Sequence, residues 1–184
     1  MKYFIFSLLL VFGMSTAVYG QTSSKEMIRW SQKRLLKWSD FKGPVDKSTD
    51  HVASTNSGIQ YGYSWSKKGS DFKIDFETFS FFKPKGSWSI KSKQSDYILK
   101  HEQLHFDITE LFARKLRKTF AEFEFTQRNY ERETSRLFDE NNEARQVMQH
   151  KYDEETNHSI NKKEQQEWNV FVKEELEKMK AYKE

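Results

Sequence analysis

The sequence predicts an α+β fold in which an N-terminal antiparallel sheet precedes a helical half, and three features of the chain carry that expectation. Apolar and polar residues alternate over residues 59–65 and again over 72–76, the two-residue period of half-buried strands. All seven glycines and both prolines lie before Ser87, so the stretch to Glu184 lacks the two residues that most often interrupt helices. From Ile98 onward, apolar residues recur at three- and four-residue steps. With 184 residues the chain is sized for one domain, able to bury roughly 70% of its unfolded surface around one core.

The elements follow in order. Met1 and Lys2 precede an apolar run to Phe12, then small residues to Ala17-Val18-Tyr19-Gly20, the layout of a secretory signal over residues 1–20. The run is too short to span a bilayer, so no stable membrane insertion is expected. A cut near Gly20 leaves Gln21 at the start of a single domain over residues 21–184, secreted or periplasmic, with a cut after Ala17 as the alternative. Ile59, Tyr61, Tyr63 and Trp65 form the first strand, a turn follows over residues 66–71, and Phe72, Ile74 and Phe76 form the second, continued to Phe82. Pro84 and Gly86 close this hairpin. Ser95 and Asp96 cap a helix whose inward stripe is Ile98, His101, His105, Ile108, Phe112, Leu116 and Phe120. A long, mostly solvated helix is expected from Gln127 to His150, with Tyr130, Leu137, Ala144 and Met148 as its narrow seam. Asn161 with Glu164 opens a last helix through Trp168 and Leu176.

Composition removes several function classes. The charge of +4 arises from 31 basic and 27 acidic side chains spread along the chain, so nucleic acid is not an expected partner. Aromatics at 16% are too abundant for a disordered chain. With no cysteine, disulfides, thiolate metal sites and cysteine nucleophiles are excluded, and any metal must be held by His and carboxylate.

One pentapeptide carries chemistry. In His101-Glu102-Gln103-Leu104-His105 two imidazoles project from the same side of a helix, one turn apart, close enough to grip one ion. The intervening Glu102 stands where it can take a proton from water, which is the zinc-peptidase arrangement. The extended pattern with a further Gly and His is ruled out, because Ile108 and Leu111 occupy those positions. A third metal donor must come from His150, His158 or a glutamate of the long helix, and spacing alone does not choose.

The chain also resembles a bacterial family, formally of unknown function, described as predicted secreted zinc-dependent proteases. The resemblance runs through Leu36-Lys37-Trp38-Ser39-Asp40-Phe41-Lys42-Gly43, Ala53-Ser54-Thr55 and Gly58-Ile59-Gln60-Tyr61. It is densest over Leu99-Lys100-His101-Glu102-Gln103-Leu104-His105-Phe106-Asp107-Ile108 and ends in Tyr152-Asp153-Glu154-Glu155-Thr156-Asn157-His158, with Gln165 and Trp168 behind. The terminal His of such sequences is often followed by Gly, where this chain has Ser159. The resemblance implies a small zincin-like domain in which His101, His105 and His158 bind Zn2+ and Glu102 is the catalytic base. Tyr152 is then a candidate hydrogen-bond donor to the oxyanion, and Asp107 a candidate to steer a ligand imidazole. Trp38, Trp65, Trp88 and Trp168 read as core or groove walls, and His51, which has no partner spacing, as a surface residue.

The expected function is a secreted zinc metallopeptidase acting on a peptide or protein substrate. A non-catalytic, zinc-stabilised exported binding module is the alternative, and a metal-free exported helical protein the third reading.

Overall fold

The computed structural model describes residues 27–184; the expected signal segment and its cleavage point lie outside them. The sheet is a long hairpin with a short third strand. Strand β1 (Ile28–Arg29) pairs with β4 (Asp71–Phe82), which pairs with β3 (Ser57–Lys68), all antiparallel in the order β1-β4-β3. Strands β2 (Ala53–Ser54) and β5 (Trp88–Ser89) make a separate two-stranded ribbon, which periodicity missed because two residues carry no period. Three helices follow, α1 (Asp96–Glu122), α2 (Tyr130–Thr156) and α3 (Lys162–Lys178). The α+β expectation holds.

Local chemistry explains the boundaries. Lys68 pairs with Asp71, so the hairpin loop is only Gly69-Ser70 and the turn is tighter than the expected residues 66–71. Gly69 sits at φ 63, where a glycine at the first loop position suits the twist of the flanking strands. In β4, Phe72, Ile74 and Phe76 are half-buried while Lys73, Asp75 and Glu77 are exposed, and then residues 78–82 are all buried. One end of the hairpin thus has a single covered face and the other end has two. Gly43 is required by close approach: a Cβ there would lie 2.8 Å from the carbonyl oxygen of Lys85.

Ser95 caps α1 by accepting from the Ile98 amide at 3.2 Å, and Asn161 caps α3 through the Glu164 amide. Helix α2 extends beyond the expected end at His150 to Thr156, which puts Tyr152 and Asp153 on the helix instead of in a loop. Among the described residues no helix is long and apolar enough to cross a membrane.

The core lies where α1 crosses the sheet. Ile108, Leu111, Leu116, Phe82 and Val172 are fully buried, each contributing about 1.5–3 kcal/mol of transfer free energy. Glu110 is buried as well, and it is satisfied by the Ser80 hydroxyl at 2.7 Å and by Arg114 at 2.9 Å, which ties α1 to β4. Trp88 and Trp168 are buried and Trp38 half-buried. Trp65 corrects the expectation: it lies near the hairpin tip, beyond the core, 42% exposed beside Phe72 and Tyr130.

Candidate metal centre

The inward stripe of α1 carries His101 and His105 to the foot of a cleft of about 780 Å³. Their ring centroids are 4.9 Å apart. Both Nε2 atoms point at one oxygen, Oδ1 of Asp153 on α2, His101 at 3.3 Å and His105 at 3.0 Å. These three side chains form a group able to hold a metal ion, all donor atoms lying within 4.8 Å of one another. Donors at about 2.0–2.2 Å from a tetrahedral zinc stand roughly 3.3 Å from each other, and the observed separations of 3.0 and 3.3 Å match that.

The outer ring nitrogens decide the protonation. Gln149 Nε2 donates to the His105 carbonyl at 2.8 Å, and that acceptor fixes the orientation of its amide. Its Oε1 therefore faces His105 Nδ1, at 2.5 Å, so Nδ1 carries the proton. His101 Nδ1 likewise meets Gln165 Oε1 from α3 at 2.7 Å, while Gln165 Nε2 donates to Asn169. With protons on Nδ1, both Nε2 atoms offer lone pairs toward a carboxylate oxygen. Such a juxtaposition is repulsive unless a cation stands between the groups, either a second proton on each ring or a metal ion.

In the metal-free protein the surroundings of His105 favour a proton there. Burial lowers the pKa of His105, but the adjoining Asp153 carboxylate outweighs it and the imidazole is raised above its ordinary value. Burial raises Asp153, and the two imidazoles overcome this to hold its carboxyl well below the usual carboxylate range. Glu102 is 4% exposed, and its Oε2 accepts from the Thr55 hydroxyl at 2.7 Å. Thr55 also reaches the Glu102 carbonyl at 3.2 Å, so the residue following β2 orients the motif carboxylate.

The other expected site residues fall elsewhere. His158 is not in the convergent group: its side chain is 47% exposed, and its Nδ1 lies 3.7 Å from Asp153 Oδ1. The cause is backbone. Asn157, His158 and Ser159 take φ values of 45, 50 and 74, turning the chain outward as α2 ends. The His158 amide donates to the Asp153 carbonyl and the Asn157 amide to Glu154, the paired bonds that close a helix on a left-handed residue. Tyr152 is fully buried behind His101, its hydroxyl 2.7 Å from Nδ1 and donating to Gln165 at 2.8 Å, so it orients the imidazole and does not face the open side of the site. Burial raises its phenol pKa further. Asp107 accepts from Trp30 and Gln103 and touches neither histidine.

His51 is exposed, as expected of a surface residue. Its ring lies 4.3 Å from that of His158, and all five histidines of the chain line this one cleft. His150 is among them, on the exposed side of α2. Sequence reasoning missed Asp153, Gln149, Gln165 and Thr55 as working parts. The resemblance passes through three of the four, but spacing alone does not single out an aspartate of the long helix as a donor.

Residues 82–159 match a family of bacterial proteins of unknown function, DUF922. That segment runs from the last residue of β4 to the turn after α2, and it holds the motif, Gln149, Tyr152, Asp153 and His158. Thr55 and Gln165 lie outside it. No curated protein and no solved structure matches the chain.

Proposed function

We propose that the protein is a secreted zinc-dependent metallopeptidase that hydrolyses a peptide bond. The observation that carries this reading is the convergence of two Nδ1-protonated imidazoles on one carboxylate oxygen, with the Glu102 carboxylate one residue along the same helix. Two imidazoles and a carboxylate, with no thiolate in the chain, suit a zinc site that keeps a coordination position open.

Held by His101, His105 and Asp153, the ion would supply Lewis acidity toward a carbonyl oxygen and a water acidic enough to be deprotonated near neutral pH. The chain's own residues do the rest. Glu102 accepts the proton of the attacking water and later delivers it to the leaving amine. Thr55 occupies Oε2 of Glu102 by hydrogen bonding, which leaves Oε1 for the proton transfer. Gln149 and Gln165 hold the imidazoles in the tautomer that presents Nε2, with Tyr152 locking Gln165 in place.

The test is elemental analysis of the purified mature protein together with a peptide-library digest, on wild type and Glu102→Gln. One zinc per chain in both proteins, with turnover reduced by a factor on the order of 10²–10⁴ in the variant, is the expected result. Zinc in both and no cleavage by either would favour a zinc-stabilised binding module, and no zinc in either would remove the metal centre.

A further inference from the structure

The cleft that holds the metal donors has a second feature on the same helix. Helix α2 presents Arg145, Gln149 and Asp153 at four-residue steps, so they share one stripe facing the cleft. Gln149 and Asp153 are engaged with the imidazoles. Among the described residues, Arg145 is engaged with nothing of opposite charge. Its Nε and Nη2 donate to a single neutral oxygen, Oδ1 of Asn142, at 3.1 and 2.9 Å.

Among the described residues lining the cleft, Arg145 is the sole lysine or arginine. The carboxylates on those walls do not neutralise it. Glu102 is bound to Thr55, Asp153 to the histidines, and Asp50 makes no ion pair with it. The other arginines near a core, Arg114 and Arg117, both pair with Glu110. Burial lowers the pKa of Arg145 without a carboxylate to offset it. A partly desolvated guanidinium that is steadied by an amide and left uncompensated is a poor structural element and a good receptor for an incoming carboxylate.

We propose that Arg145 anchors a carboxylate of the bound peptide, three to four residues from the bond that is cleaved. The inference rests on the peptidase reading for its ligand class. Eight helical residues separate Arg145 from Asp153, roughly 12 Å along the axis, and an extended peptide covers about 3.3–3.6 Å per residue. An acidic side chain and a free C-terminus both offer the required planar acceptor, and the experiment separates them.

Full-length zinc-loaded Glu102→Gln protein is titrated with fluorescent decapeptide libraries carrying Glu or Gln at each position in turn, as free acids and as C-terminal amides. The expected result is that carboxylate-bearing peptides bind about tenfold tighter than neutral ones, and that Arg145→Gln erases this preference without altering zinc stoichiometry. Asn142→Asp supplies an internal carboxylate to the same guanidinium and is expected to erase it too, so the test survives if Arg145→Gln does not fold. A preference confined to free acids identifies the C-terminus as the source; one that persists in amides identifies an acidic side chain. Equal weakening of Glu and Gln peptides by Arg145→Gln, or no preference in the parent protein, overturns the anchor. Digestion of the same libraries by the unsubstituted enzyme separates the two readings. Cleavage without an acidic preference removes the anchor alone, whereas an Arg145-dependent preference without cleavage removes the peptidase and leaves the anchor standing.

Discussion

Helices α1 and α2 are each 27 residues long, yet α1 buries thirteen side chains and α2 buries four. Helix α1 is held by its apolar stripe against the sheet, and its two histidines are carried into place by that packing. Helix α2 docks through half-buried apolar side chains, Tyr130, Leu137, Phe138 and Met148, and two of its four buried residues, Tyr152 and Thr156, fall in its last turns beside the metal donors. The centre is therefore built from one wall fixed by the core and one wall docked onto it. Stability belongs mainly to the first wall and assembly of the site to the second.

Truncation in the two walls should show the widest separation. Leu111→Ala on α1 removes a fully buried side chain and is expected to cost about 2–5 kcal/mol. Val147→Ala on α2 removes one that is 63% exposed, and its effect should stay within about 0.5 kcal/mol. Urea unfolding monitored by tryptophan fluorescence measures both, and comparable losses would break the comparison.

Next in size are the metal donors of the docked wall. Asp153→Ala is expected to lower zinc affinity by more than 100-fold, because it removes the oxygen on which both imidazoles converge. His158→Ala, outside the convergent group, should lower it less than tenfold. Competition with a chromogenic chelator reads both values. The reverse order would mean that the turn after α2 rearranges to bring His158 inward.

A smaller effect sharpens the electrostatics. Because His105 is raised above its ordinary value of 6.5, its pairing stabilises the metal-free protein fully below that value and is lost as pH rises through the raised one. Asp153 is lowered from 3.8, so its contribution is present above that value and lost as pH falls through the lowered one. The metal-free pair is thus strongest at mildly acidic pH. Zinc requires the imidazole unprotonated, so its affinity should fall as pH drops past the raised pKa, and binding at pH 7 should release protons. Calorimetric enthalpies that vary with the ionisation enthalpy of the buffer would register this; identical enthalpies in all buffers would contradict it.

The same contrast sets how much was legible in the sequence. The hairpin and α1 follow from periods of two and of three to four, and His101, Glu102 and His105 share a helix, so their spacing is itself geometry. Gln149 lies 44 residues from the histidine it holds and Gln165 lies 64 from its own, and their pairings depend on how three helices dock. No local pattern encodes that. For the third donor, chemical preference and backbone point to different residues. Imidazole is a better zinc ligand on general grounds, but the left-handed turn leaves His158 at the rim, while Asp153, five residues earlier on α2, meets both imidazoles. Tyr152 and Asp153 are adjacent on α2 and point about 100° apart, so the carboxylate meets the Nε2 atoms while the phenol lies behind His101.

The run of three left-handed residues has a further meaning for how the molecule opens. Such a conformation is disfavoured by roughly 1–2 kcal/mol per non-glycine residue, with less opposition at Asn157 than at Ser159, so the corner persists only while both flanking helices stay docked. Helix α3 is anchored through Gln165 to His101 and through Trp168 against Tyr152, and the corner itself is tied to the Asp153 carbonyl. Detachment of α3 would take Gln165 away from the outer nitrogen of His101 and leave Tyr152 as its partner. The C-terminal helix contributes no donor to the centre, yet through Gln165 it sets which nitrogen His101 presents. Zinc loading is therefore expected to raise the hydrogen-exchange protection of the amides of α3.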